Sequence, residues 1–217
     1  MTTTNQDKKY ELRTNDTITI HGKIHYRIRA LKDFKNEKGS YYVKKGELGG
    51  YVASENNLSH EGTAWVADDA LVTDDALIEG HALVKDNAQV KDNAHVIGNS
   101  VVTHSSIVES DAVIKDGQIF DNALISGNAI IDCDATIAGD AQVFRSGDYQ
   151  VFKTVWDKYC SDAKFTYTNS NKMWWLNGYH LTGEELIELA RHKEGEVEAN
   201  NYKAYVELVE KLEQINQ

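Results

Sequence analysis

The sequence contains little cysteine, no proline and no long apolar run. Its two cysteines, Cys133 and Cys160, stand neither in a CxxC pair nor at a spacing typical of metal ligands. No apolar stretch approaches the ~18 residues that a transmembrane helix requires, and residues 1–9 lack the apolar core of a signal peptide. We therefore expect a cytoplasmic protein with free thiols that does not contact a membrane.

Positive charge is scarce in the middle of the chain. Residues 62–143 contain 3 Lys and Arg against 14 Asp and Glu, whereas residues 1–61 contain 11 against 8 and residues 144–217 contain 9 against 12. The net charges of the two flanks, +3 and −3, cancel, so the net charge of −11 is that of the middle segment. Such a segment repels phosphate backbones, which predicts that it does not bind nucleic acid directly.

A six-residue repeat occupies this acidic segment. From Ala64 onward a small residue recurs at every sixth position, and a branched aliphatic residue follows each one by two positions, beginning with Val66. One residue is dropped after Phe120, and the pattern resumes at Ala123 and ends at Val143, which gives fourteen hexapeptide units. A helix has a period near 3.6, so a period of six predicts short strands joined by corners.

The repeat predicts which way each residue points. The branched residue should face inward and its neighbour outward, while an Asp-Asn, Asp-Asp or Gly-Asn pair turns the corner. Five asparagines are expected to adopt left-handed backbone angles at the corners: Asn87, Asn93, Asn99, Asn122 and Asn128. An aliphatic residue followed four positions later by a small one is similar to the hexapeptide-repeat motif. That resemblance implies a left-handed parallel β-helix with three hexapeptides per coil, here in four to five coils.

The predicted fold is mainly β, in three parts. Residues 1–61 form a small N-terminal β cap, with a hairpin turn at residues 21–23 and a second strand pair near residues 41–43 and 50–52. Residues 62–143 form the solenoid. Residues 144–217 form an aromatic-rich segment followed by two α-helices, one from the capping box at Thr182 to about His192 and one from about Asn200 to Gln214.

Four short motifs give the chain its family resemblance. They are Tyr26-Arg-Ile-Arg-Ala-Leu31, Lys45-Gly-Glu-Leu-Gly-Gly-Tyr51, Asn57-Leu-Ser-His-Glu-Gly62 and Ala64-Trp-Val66. Over about residues 17–143 the chain resembles the phage and prophage hexapeptide-repeat proteins related to the YdcK family. Members are often described as acyltransferases or polymer-forming proteins, but these descriptions derive from the repeat, and a fold does not fix a function.

The resemblance raises the question of catalysis. Hexapeptide acyltransferases combine a catalytic histidine, a loop projecting from the solenoid and a site for coenzyme A between subunits, and they commonly end in a proline-containing coil. Here His81 and His104 stand at corners, His95 faces outward and His60 precedes the repeat. No hexapeptide carries a long insertion, and the acidic solenoid disfavours the phosphates of coenzyme A. We expect no catalytic residue and no cofactor.

A row of carboxylates is the next candidate site. Six aspartates could offer oxygen ligands to Ca²⁺ or Mg²⁺: Asp68, Asp69, Asp74, Asp75, Asp86 and Asp92. With eighteen residues per coil, the first aspartate of each pair should stack with its equivalent in the next coil. The simpler interpretation is a solvated acidic surface that keeps a repetitive β-protein soluble, without a bound metal.

Outward residues predict self-association. On one face Trp65, Leu83, Val101 and Ile119 should form an apolar column; the second face carries Leu77, His95, Val113 and Ile130, and the third carries Leu71, Gln89, Ile107 and Leu124. Such columns need a cover, which a second subunit, the C-terminal helices or another protein could supply. The second helix offers Tyr202, Tyr205, Val209 and Leu212 on one face. We expect a homodimer or homotrimer held by the first column.

Two function classes remain at this point. The first is a non-catalytic binding or scaffold protein of phage type that self-associates, presents a rigid acidic surface, and inhibits a host defence protein by imitating the charge of DNA. Its partners would be itself and a host or phage protein. The alternative is a hexapeptide acyltransferase that depends on coenzyme A and acts at a subunit interface.

Overall fold

The computed structural model describes residues 8–35, 41–153 and 164–215. The N-terminal part contains β1 (Tyr10–Ile20), β2 (Lys23–Ala30), β3 (Phe34–Lys35), β4 (Tyr42–Val43) and β5 (Leu48–Val52). The hairpin between β1 and β2 is confirmed. Its two loop residues, His21 and Gly22, have φ of 49° and 78°, the left-handed angles of a type I′ turn.

The second predicted strand pair is wrong in its partners. Strand β4 pairs with β3, and β5 pairs antiparallel with β2 on one edge and parallel with the first coil on the other. The reason is that Val52 is inward-facing and fully buried, so β5 continues the core column of the solenoid through its neighbour Val72. The N-terminal part therefore extends one sheet of the solenoid, and its strands cap the first coil.

The solenoid is a three-sided parallel β-helix of about five turns, as predicted. Its strands are β6 (Trp65–Val66), β7 (Leu71–Val72), β8 (Leu77–Ile78), β9 (Leu83–Val84), β10 (Gln89–Val90), β11 (His95–Ile97), β12 (Val101–Val102), β13 (Ile107–Val108), β14 (Val113–Lys115), β15 (Gln118–Ile119), β16 (Leu124–Ile125), β17 (Ile130–Ile131), β18 (Thr136–Ile137) and β19 (Gln142–Val143). Every third strand pairs in parallel. The predicted inward columns are confirmed and are fully buried: Val66, Val84 and Val102 on one side, Val72, Val90 and Val108 on another.

The dropped residue falls earlier than the sequence suggests. Val102 pairs with Ile119, and Val101 pairs with Gln118. Ile119 therefore faces inward and is fully buried, which corrects its assignment to the outward column. The physical reason is Gly117: it fills the tight inward slot that alanine holds elsewhere, where a Cβ atom would meet the side chains of Ile131 and Ile114.

The left-handed corner residues stand one position before the predicted asparagines. Asp86 and Asp92 have φ of 60° and 58°, and Gly98 has φ of 68°, whereas none of the five asparagines has positive φ. Four left-handed aspartates accept a hydrogen bond from the backbone N–H of their equivalent one coil further on: Asp68 from Asp86 (3.2 Å), Asp86 from His104 (3.1 Å), Asp92 from Ser110 (3.0 Å) and Asp121 from Gly139 (3.0 Å). These bonds offset the cost of the left-handed backbone and tie the coils together.

The last coil is closed by hydroxyl groups. In the body of the solenoid the outward residue of a strand donates its N–H to the next coil, as Leu77 does to Ala94 (3.0 Å). The equivalent groups of the last coil donate to side chains that follow it: Ile130 to Ser146 (3.2 Å), Thr136 to Thr166 (3.1 Å) and Gln142 to Ser170 (2.7 Å). The edge therefore offers no row of unpaired donors to another strand.

At the first coil, side chains of the N-terminal part donate hydrogen bonds to backbone carbonyls. The carbonyls of Ile78 and Ala82 accept N–H groups from the preceding coil. Their equivalents in the first coil, Leu58 and Ala64, have no preceding coil to bond. The Tyr10 hydroxyl donates to Leu58 O (2.8 Å), and the Lys9 ammonium donates to Ala64 O (2.7 Å).

The C-terminal part is a sheet covered by two helices. Strands β20 (Tyr149–Lys153), β21 (Lys164–Thr168), β22 (Met173–Leu176) and β23 (Tyr179–Leu181) pair antiparallel in chain order. The helices are α1 (Gly183–Glu194) and α2 (Glu196–Ile215). The capping box at Thr182 is confirmed, since its hydroxyl accepts the N–H of Glu185 (3.2 Å). Helix α2 begins four residues before the predicted start.

We expect Val90→Asp to unfold the solenoid. Val90 is fully buried, and an unpaired carboxylate there would cost several kcal/mol of a total stability of about 5–15 kcal/mol. Gln89→Asp is the matched control, because the adjacent side chain points to solvent. Circular dichroism melting should show loss of the folded baseline for Val90→Asp alone. An unchanged melting temperature would contradict the register described above.

Lys9 makes stability depend on pH. Burial, with a smaller effect from the charge of Lys32, lowers the pKa of the Lys9 ammonium to about 7. Between pH 7 and its ordinary value of 10.5 the unfolded chain holds a proton that the folded chain does not, so the free energy of unfolding rises with pH. We expect a rise of about 1 kcal/mol per pH unit between pH 7.5 and 9.5. In Lys9→Met this slope should vanish; equal slopes in urea unfolding of both proteins would refute the assignment.

Candidate interaction surfaces

The three outer faces of the solenoid differ in how far they are covered. We name them by one residue each: the Leu71 face, the Leu77 face and the Leu83 face, the last of which held the predicted interface. At its first coil Trp65 is buried under Phe34, with ring centroids 5.4 Å apart. At its last coil Thr136 is buried beneath Thr166.

Only Leu83 and Val101 of the predicted interface column remain partly exposed on the Leu83 face. Trp65 belongs to the junction with the N-terminal part, and Ile119 lies in the core. Gln118 takes the outward position in its place and is exposed. The predicted continuous apolar column is therefore wrong over half its length.

The predicted face of the second helix is used within the chain. Tyr202 and Val209 are buried, and Tyr205 packs against the same core, with ring centroids 5.1 Å from Phe165 and 5.2 Å from Phe152. These side chains cover the sheet β20–β23, so they are closed to the solenoid and to other molecules. The fourth predicted residue, Leu212, lies seven residues after Tyr205 at the edge of this face and is 37% exposed.

An exposed apolar stripe runs along the flank of α2 that begins at this edge. Val197, Leu208, Leu212 and Ile215 are 70%, 45%, 37% and 78% exposed, and at 3.6 residues per turn they and Ala204 fall within a sector of roughly 80°. A surface helix ordinarily turns a polar side to solvent. This stripe was missed from the sequence, although the spacing of residues 208, 212 and 215 would have revealed it.

The Leu77 face is an open apolar column along the solenoid. Leu77, His95 and Val113 are partly exposed, and Ile130 is 47% exposed. His95 Nε2 lies 3.2 Å from Glu79 Oε1. The predicted register of this column is confirmed, and so is that of the column on the Leu71 face, which contains Leu71, Gln89, Ile107 and Leu124.

The six predicted acidic residues lie along the two corners that flank the Leu71 face. Asp69 pairs with Arg27 (3.2 Å), and Asp74 pairs with Lys23. The bond from Lys23 lowers the pKa of Asp74, and the bond from the Thr103 hydroxyl lowers the pKa of Asp86. The carboxyl groups of Asp74 and Asp86 therefore stay ionised at neutral pH. No group of three or more His, Cys, Asp and Glu in the described ranges is arranged to hold a metal ion.

The other histidines have structural contacts. His81 Nδ1 lies 2.9 Å from the hydroxyl of Thr63 one coil earlier. His104 adopts a left-handed corner conformation and lies 3.7 Å from Asp121. His60 accepts the backbone N–H of Lys9 (3.2 Å) and stacks on Tyr10 at 4.3 Å, as expected for a residue that closes the first coil.

A cleft lies where the C-terminal sheet meets the Leu83 face. Its volume is about 540 Å³, and Gln118 and Thr136 line it from the solenoid. Phe120 and Trp175 stack at 5.7 Å with an interplanar angle of 23° along its wall. The cleft could not be predicted from the sequence, because Trp175 and Phe120 approach only through the packing of the sheet on the solenoid.

Comparisons with known proteins assign no family to this chain. None of the protein-family models matches it, and no curated protein is significantly similar in sequence. The phage resemblance therefore stays a prediction. Among the described helices, none has the length and apolar character to cross a membrane.

Proposed function

We propose that this chain is a non-catalytic scaffold that pairs with a second copy through α2. The rigid solenoid of each copy then presents its acidic corners to a partner protein. The exposed stripe on α2 is the observation that carries the proposal. Four of the large exposed apolar side chains of the described residues lie on this one side of one helix. Burying each contributes about 1.5–3 kcal/mol at most.

The stripe is complementary to itself. It runs over ~27 Å of helix at 1.5 Å per residue. In an antiparallel pair related by a two-fold axis, Val197 would meet Ile215 of the partner subunit, and small Ala204 would meet Leu208 of the partner subunit. Alternation of small and large side chains is what close helix packing requires. The Leu83 face, interrupted at both ends, offers no comparable length.

Pairing through α2 predicts which substitutions dissociate the protein. Leu208→Glu/Leu212→Glu should convert a dimer into a monomer without a change in far-UV circular dichroism, because both side chains are exposed. Leu83→Glu/Val101→Glu is the matched control on the solenoid and should leave the dimer intact. Light scattering over a wide concentration range measures the oligomeric state of the parent protein and of both variants. A monomeric parent protein, or dissociation only by the control, would refute pairing through α2.

The acidic corners supply the binding surface in this proposal. Carboxylates along one edge alternate with amides in the same slot, in the order Asp75, Asn93, Asp111 and Asn128. A rigid row of this kind suits a basic protein surface, and attraction at a distance speeds such encounters. In the phage setting suggested by the resemblance, the partner would be a host defence protein that normally binds DNA.

Asparagine substitution tests the acidic edge without disturbing the corners. Asp75→Asn/Asp111→Asn replaces the two carboxylates of the row by asparagine, which the row already holds at Asn93 and Asn128. Glu61→Gln/Glu184→Gln removes the same charge from exposed sites elsewhere. In quantitative capture from bacterial lysate, a partner should be held by the parent protein and the control, lost with the corner variant and weakened by salt. Equal capture by both variants would exclude the acidic edge as the binding surface.

Thermal stabilisation by acetyl-CoA that is lost on replacing His81, His95 or His104 would instead favour the acyltransferase alternative.

A further inference from the structure

The cleft beside the Leu83 face coincides with a break in the repeat. In the earlier coils the outward slot of this face holds Trp65, Leu83 and Val101, but in the cleft it holds Gln118. Phe120 is the only aromatic residue in its column, which elsewhere holds Ala67, Lys85, Thr103 and Ala138. An exposed amide and an aromatic ring therefore enter the repeat together, where the C-terminal sheet lies opposite them.

The opposite wall adds matching groups. Trp175 stacks on Phe120, and Asn177 lies in the tight turn between β22 and β23 with φ of 48°. At the rim Asp134 and Lys164 form an ion pair. The cleft thus combines an aromatic surface, two side-chain amides, and a carboxylate and an ammonium whose charges cancel.

We propose that this cleft binds a neutral saccharide. A sugar ring presents weakly polarised C–H groups that pack on the electron-rich face of an aromatic ring. Its hydroxyl groups both donate and accept, and so do the amides of Gln118 and Asn177. Because the charge of Asp134 is balanced by Lys164, the cleft favours neither a phosphate nor a metal cation.

The geometry favours a sugar over a planar base. Phe120 and Trp175 stack on each other, so they leave no slot between two rings for a third. The cleft is also open along one side, which accommodates one unit of a longer chain. Trp175 and Trp174 point to opposite sides of the sheet, and Trp174 is buried against the helices. The cleft is therefore independent of pairing through α2.

Substitutions that copy residues of the repeat test the site. Gln118→Val restores the residue type found one coil earlier and removes the amide, and Asn177→Gly keeps the positive φ while removing the other amide. Gln89→Val is the matched control in the equivalent slot of the Leu71 face. Ligand-observed saturation-transfer NMR with a panel of neutral glucose, galactose and mannose oligosaccharides measures binding, and melting temperatures confirm that each variant is folded.

The parent protein and Gln89→Val should bind at least one of these oligosaccharides equally. Gln118→Val and Asn177→Gly should each weaken it by about tenfold, which is the effect of losing one hydrogen bond in such a site. No binding to any member of the panel, or equal binding by all four proteins, would overturn the proposal. Light scattering on the same samples shows separately whether the protein is dimeric, so failure of one proposal leaves the other measurable.

Discussion

The hydrogen bond between successive coils is the interaction on which the rest of this structure depends. Each coil satisfies its backbone through its neighbours, so the edge strands of a solenoid of any finite length leave unpaired N–H and C=O groups at both ends. Here both ends are closed by side chains of the flanking segments: Lys9 and Tyr10 before the first coil, Ser146, Thr166 and Ser170 after the last. The flanks therefore fix the length of the solenoid, and they leave it no free edge for stacking end to end.

Closing the ends also decides which surfaces remain available. The segments that cap the first and last coils lie over both ends of the Leu83 face, where Phe34 covers Trp65 and Trp175 covers Phe120. Surfaces that stay open lie elsewhere: the Leu77 face, the acidic corners, the outer side of α2, and the cleft that the last cap creates. The segments that terminate the repeat thus determine which of its surfaces stay open, and one of them forms the cleft.

The repeat could be predicted from sequence because its information is local. A branched residue every six positions identifies the inward columns, and each strand needs only its own hexapeptide to be recognised. The dropped residue was misplaced because either alignment puts an apolar side chain inside, Ile119 or Phe120. Only the space around Gly117 separates them, and that space depends on Ile131 in the next coil. The four strands of the C-terminal sheet carry no repeat, so their pairing depends on distant contacts that spacing does not reveal.

The C-terminal part has two layers, the sheet and the helices, and the proposed assembly and binding surfaces lie on different layers. The sheet turns Phe165, Tyr167 and Trp174 toward the helices and Thr166 and Trp175 toward the solenoid, as alternation along a strand requires. The exposed stripe lies on a flank of α2 that the sheet leaves uncovered, whereas the cleft lies on the side of the sheet that faces the solenoid. Pairing through α2 would therefore leave the cleft and the acidic corners of both copies open. A dimer of this kind would present two copies of each surface, and for a ligand that repeats along a chain or a surface, the second contact is made at the high effective concentration set by the first.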